Sequence, residues 1–270
     1  MAMPKLLVMT DTHICAPGQS IIGLSPSKRL AAALDHALAA HPDAAALILM
    51  GDLTHHGADA EYSELASILG DVPIPIIPML GNHDRRDAFQ AAFPAAPKCA
   101  HGFVQKVVDY PHHRVITLDT LDGPPYPKGH HAGHLCAKRR EWLTKALDGA
   151  AGRKPIVFAH HPPFETGIVG MDRIRLLDGD DLVALLAQHD AHLFCGHIHR
   201  TISGQMNGLS WTMFKSPCHQ GVLDLADPDS SLSIDEPGAY GVVLLPQGGV
   251  VAHSVDVLPP RDIHRDMHSA

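Results

Sequence analysis

Lys5-Leu-Leu-Val-Met9 is an apolar run of strand length that passes directly into Thr10-Asp11-Thr12-His13. Such a run suits a strand buried on both faces of a sheet. The carboxylate and imidazole at its end are metal-ligating types. In extended backbone, residues i and i+2 point the same way, so Asp11 and His13 are expected to face one centre. The arrangement recurs four times. Ala45–Met50 precedes Gly51-Asp52, Ile74–Met79 precedes Gly81-Asn-His-Asp84, Ile156–Ala159 precedes His160-His161, and Ala191–Cys195 precedes Gly196-His-Ile-His199.

Helical segments separate these strands. Residues 27–40 read as a helix with Ser25 or Ser27 as N-cap, and 59–69, 84–93, 137–147 and 180–188 read likewise. The prolines at 73, 75 and 78 place the third strand near a sheet edge. Residues 103–110 and 114–118 form a hairpin pattern, and 201–215 and 240–257 suggest further antiparallel strands. The Pro/Asp/Ser-rich stretch 217–237 reads as a cap or an oligomer contact within a single domain spanning 1–270. The expected fold is α/β, two sheets face to face with helices outside. Every motif follows a strand's C-terminal end, the edge where α/β sheets bind ligands.

The 270 residues are 45% hydrophobic and 19% charged, an ordinary globular balance. No apolar stretch is long enough for a membrane helix, and the net charge of −8 without a basic run argues against a nucleic-acid duplex as partner. Five scattered cysteines favour reduced thiols and a cytoplasmic location over disulfides or a thiolate zinc site. The 22 histidines exceed any structural need, so some are expected to be ligands.

A carboxylate such as Asp52 can bridge two cations, which an imidazole cannot. If Asp11 and Asp52 are the anionic ligands, two divalent ions leave a net positive centre that can hold a hydroxide and attract a phosphate oxygen. Mixed imidazole and oxygen donors suit Zn, Fe, Mn or Co. The expected chemistry is phosphate ester hydrolysis.

The ordered set D-x-H, G-D, G-N-H-D, H and G-H-x-H resembles the calcineurin-like metallophosphoesterases. The segments His160-His-Pro-Pro163, Phe194-Cys-Gly-His-Ile-His199 and Ser216-Pro-Cys-His-Gln220 resemble the bacterial class III cyclic-nucleotide phosphodiesterases and glycerophosphodiesterases. The likeness spans roughly residues 5 to 220. It implies a four-layer α/β/β/α sandwich of two mixed sheets. It also implies a first metal on Asp11, His13 and His199, a second on Asn82, His160 and His197, and Asp52 as bridge. His83 would lie beside the phosphate with Asp84 orienting it, and His219 would approach the substrate. The substrate implied is a small phosphodiester, of the 3′,5′-cyclic AMP type or a glycerophosphodiester, and the assembly a homo-oligomer. Competing expectations are a phosphomonoesterase, to which Arg85 or Arg86 would contribute charge, a nuclease, and a non-catalytic scaffold that would have lost ligands.

The other motif-adjacent residues have plainer readings. His161 is expected to point away from the metal face into a structural hydrogen bond. His55 and His56 follow Asp52 closely enough for either to line the pocket, and a surface loop is the favoured expectation. His112, His113, His130, His131 and His134 are expected to be solvated, and His264 and His268 belong to a polar tail. Cys195 reads as a buried hydrophobe, Cys218 as lacking a base partner, and Asp178, Asp180 and Asp181 as a helix start.

Overall fold

The computed structural model describes residues 3–126 and 128–258; His264 and His268 lie outside the described residues. Two mixed sheets form the centre. The first has the order β13-β12-β1-β2-β3, from β1 (Lys5–Met9), β2 (Ala46–Met50), β3 (Ile76–Met79), β12 (Ala239–Leu244) and β13 (Val251–Asp256). Strands β1, β2 and β3 are parallel, β12 is antiparallel to β1, and β3 is the edge strand that the prolines indicate. The second has the order β4-β5-β6-β7-β9-β8, from β4 (Lys106–Asp109), β5 (His113–Leu118), β6 (Lys154–Ala159), β7 (His192–Cys195), β8 (Ile202–Met206) and β9 (Leu209–Met213).

Strand alternation sorts the core into three layers. Leu6, Val8, Ile48 and Met79 face Ile156, Phe158, Phe194 and Phe214 across the sheets. Leu7, Met9, Leu47 and Leu49 turn outward onto α1 (Pro26–Ala40), α2 (Asp59–Leu69) and Phe89 of α3 (Arg86–Ala92). Val157, Leu193 and Met213 turn outward from the other sheet onto α4 (Ala137–Asp148) and α6 (Asp180–Gln188). The result is the expected four-layer sandwich. Ser25 caps α1, its hydroxyl accepting from Lys28 N, with Pro26 at the first helical position.

Two small elements are illegible in the sequence: α5 (Val169–Asp172) and the pair β10 (Gln220–Gly221) with β11 (Ser233–Ile234). The β10–β11 pair opens and closes most of the 217–237 excursion. Two expectations need correction here. His113 is buried, and its ring meets the Gly249 carbonyl at 2.7 Å, tying the start of β5 to the β12–β13 turn. Asp178 is not at a helix start; it accepts from Leu135 N and Arg140, while Asp180 and Asp181 occupy the first turn of α6.

Candidate metal centre

The loops after β1, β2, β3, β6 and β7 converge at one end of the sandwich, and each brings its motif into one buried cluster. His199 Nε2 lies 3.0 Å from His13 Nε2 and 3.3 Å from Asp11 Oδ1. Asp52 Oδ2 lies 3.6 Å from His13 Nε2 and 3.3 Å from His160 Nε2, between that group and the next. The backbone N–H of His197 donates to Asp11, at 3.0 Å to Oδ1, and that of His83 donates to Asp52 Oδ1 at 2.9 Å.

The rings are held by their second nitrogens. His160 Nδ1 meets Met50 O at 3.0 Å, His199 Nδ1 meets His219 O at 2.9 Å, and His197 Nε2 meets Ile174 O at 3.1 Å. A carbonyl only accepts, so each such nitrogen carries a proton, and the other nitrogen is the one that can offer a lone pair to a metal once any proton on it is displaced. Asn82 Oδ1 and His160 Nε2 are buried without a hydrogen-bond partner. Buried polar atoms are rarely left so, and both are cation-ligating atoms. This donor set of imidazoles, carboxylates and an amide oxygen fits metal ions.

The backbone is built around these side chains. A Cβ on Gly81 would strike Asp52 and His160, and one on Gly196 would strike Thr10 and Asp11. Asp11, His13, Asp52, His197 and His199 all have φ between 44° and 70°. The i, i+2 pairs therefore converge through left-handed turns, not through the extended backbone that their spacing suggested. Left-handed non-glycine residues cost about 1–2 kcal/mol each, strain that clusters at functional sites.

Charge in the metal-free cluster is balanced by protons. Burial would raise the Asp11 and Asp52 carboxyls, but neighbouring imidazoles, His199 for Asp11 and His160 for Asp52, hold both low. Burial opposes a charge on His160, yet Asp52 and Asp11 raise it to about 9. Burial, joined by His160, pushes His197 down to about 3.

Several neighbours sit where the sequence did not place them. Asp84 does not reach His83; it accepts from Leu53 N, Thr54 N and Oγ1, Tyr62 Oη and Gly81 N, and so ties the loops after β2 and β3 together. His83 Nδ1 donates instead to His55 O at 2.7 Å. His55, expected in a surface loop, stacks on His83 at 5.3 Å, and its Nδ1 is 3.3 Å from His13 Nδ1. His131, expected to be solvated, stacks against His83 at 5.3 Å, and its Nδ1 accepts from Asn82 Nδ2 at 3.0 Å. His161 does bond Thr120 Oγ1, at 2.8 Å, but it does not turn away: its donor atom lies within 4.8 Å of those of His160 and His197. Cys195 is buried, as expected, and burial raises Cys218 to about 12, which leaves it a thiol.

A cavity of about 350 Å³ opens onto the cluster. His13, Asp52, Asn82, His83 and His219 form its floor, Ile168, Met171 and Ile174 one wall, and residues of 221–233 another.

The model of the calcineurin-like phosphoesterases matches residues 4–201. The chain is 40% identical to a probable cyclic nucleotide phosphodiesterase of Rhodopseudomonas palustris, over 92% of this chain and 91% of that one. It is 32% identical to a probable glycerophosphodiester phosphodiesterase of Arcobacter nitrofigilis, over 85% and 84%. A dimetal phosphatase of Danio rerio superposes with a TM-score of 0.69 at 12% identity, covering 94% of this chain and 96% of that one, and so shares the fold. The chain belongs to the calcineurin-like phosphoesterases, metal-dependent hydrolases of phosphoric esters, and stands among them with the bacterial phosphodiesterases.

Proposed function

We propose that this protein hydrolyses small phosphodiesters at a dinuclear centre, a cyclic nucleotide of the 3′,5′-cyclic AMP type first among them. The observation that carries the proposal is Asp52, a single carboxylate between two sets of donors. Asp11, His13 and His199 would hold one ion and Asn82, His160 and His197 the other, with Asp52 shared. Two bound ions would supply a water of lowered pKa and positive charge against the phosphate oxygens.

The chain's own groups do the rest. His83 donates from Nδ1 to His55 O, which turns Nε2 towards the phosphate position; when Nε2 also carries a proton, it can pass that proton to the leaving oxygen and return to the neutral ring. The rings of His55 and His131 on either side keep it in place. His219 lines the cavity, and burial holds its ring neutral, with a pKa down to about 3, so it can bond a substrate without adding charge. A cavity of about 350 Å³ is within the range of small-ligand sites. Among the described residues lining it there is no lysine or arginine, which suits one diester charge better than a monoester dianion. Arg86 is committed elsewhere, to a two-pronged bond with buried Asp119.

The Arcobacter relative supports a glycerophosphodiester as the second reading. The proposal extends to a cytoplasmic homo-oligomer, supported by five unpaired cysteines and by exposed Leu223, Leu225 and Ile234 on the excursion. No helix among the described residues is long and apolar enough to cross a membrane.

Asp52→Ala should lose both metals by elemental analysis and lower bis(p-nitrophenyl) phosphate hydrolysis roughly a thousandfold, the equivalent of ~4 kcal/mol. Hydrolysis by that variant at the native rate would overturn the assignment. Rates on 3′,5′-cyclic AMP, 2′,3′-cyclic AMP and glycerophosphocholine then rank the substrates.

A further inference from the structure

A second cavity, of about 190 Å³, adjoins the centre on the far side of Asn82 and His131, residues that line both cavities. Its character is opposite to that of the larger one. Arg85 and Lys128 line it, and neither forms an ion pair among the described residues, whereas Arg86 next door is taken by Asp119. The Arg85 guanidinium lies 4.3 Å over the Tyr126 ring, and its stem fills the space left by the missing side chain of Gly57. The carboxylate on this wall, Asp122, is bonded to His130 Nε2 at 3.1 Å, and against it the two cations leave the lining net positive. In a chain of net charge −8, a net positive lining beside the metal cluster favours an anionic ligand.

We propose that this cavity is a second arm of the substrate site, and that the enzyme also takes open-chain phosphodiesters whose retained alcohol carries an acidic group, a carboxylate or a phosphate. A cyclic nucleotide joins both ester oxygens to one sugar and needs only the larger cavity. An open diester has two arms, and the wall of Asn82 and His131 separates space for each. The arm that leaves lies in the larger cavity, and the retained arm reaches past Asn82 towards Arg85 and Lys128. The inference rests on the diesterase reading.

The test compares ethyl p-nitrophenyl phosphate with 2-carboxyethyl p-nitrophenyl phosphate on the metal-loaded enzyme. In each, water oxygen adds to phosphorus and nitrophenolate departs, so only the retained arm differs. The native enzyme should favour the carboxylate arm by about tenfold in kcat/KM, as two partly exposed cations allow. In the double variant Arg85→Gln, Lys128→Gln the ratio should fall to about one, whatever the absolute rates. Equal native rates, or a preference that survives the double variant, overturn the second arm while leaving diesterase activity intact. Hydrolysis of neither ester would instead refute the diesterase reading. Titration of the labelled protein with succinate judges the cavity independently of turnover: the amide resonances of Arg85 and Lys128 should shift saturably in the native chain, and their constancy would overturn the site.

Discussion

Asn82 shows how much of this centre depends on one hydrogen bond. An amide has a donor end and an acceptor end, and only the acceptor can bind a cation. His131 Nδ1 takes Asn82 Nδ2, which leaves Oδ1 without a protein partner and open to a metal. Burial lowers the pKa of His131 and so preserves the lone pair that this bond needs. His131→Leu should therefore weaken binding of one of the two ions about 10- to 100-fold with the circular dichroism spectrum unchanged. His131→Gln, which retains an acceptor, should recover most of the loss. Equal affinities for native, Leu and Gln forms in metal titrations would show that the amide needs no such partner. This role was not legible in the sequence. Asp11, Asp52 and the Gly-His-Ile-His199 block could be read because each motif follows a buried strand. His131, His55 and His161 lie in turn-rich or motif-adjacent stretches where nothing marks which ring faces the cluster, and the chain brings them there only by folding.

At the scale of elements, strands and helices were legible because apolar periodicity reports burial directly. Helices α2 and α6 begin and end where their patterns do. The short pieces α5 and β10–β11 carry too few residues for a period to show. The left-handed loops were hidden for another reason, since Asp and His tolerate that backbone without advertising it. Strand β7 yields a pH prediction. Burial, with Lys154 nearby, lowers His192 from its ordinary 6.5 to about 4. As the pH falls from 6.5 towards 4 the unfolded chain takes up a proton that the folded one refuses, so stability declines across that window. In the metal-free protein, the urea midpoint of His192→Asn should fall less steeply with acid than that of the native chain, by the equivalent of one proton. Parallel curves would mean that His192 titrates normally in the fold.

For the whole molecule, the centre joins two sheets that also meet through Leu6, Phe158 and their apolar neighbours and through the bond of His113 to Gly249 O. Its donors come from β1, β2 and β3 on one side and from β6 and β7 on the other. Metal bound at a hundred times its dissociation constant stabilises the fold by about 2.7 kcal/mol, or roughly 5–10 °C in a chain of this size. Removing it with dipicolinate should lower Tm by that amount, and Mn²⁺ or Zn²⁺ should restore it. The gain should shrink as the pH is lowered, because the ions displace protons that Asp11 and Asp52 hold on His199 and His160. A Tm indifferent to chelation would mean that the five loops hold their shape without metal.

The bond between His197 Nε2 and Ile174 O has a consequence for chemical mimicry. A metal held here would meet His197 at its δ nitrogen, the one nearer the backbone, and His160 and His199 at the more distant ε nitrogen. Asparagine reproduces the reach of the first and glutamine that of the second. The isosteric replacements at these histidines are thus not interchangeable: position 197 matches an asparagine, and positions 160 and 199 match a glutamine.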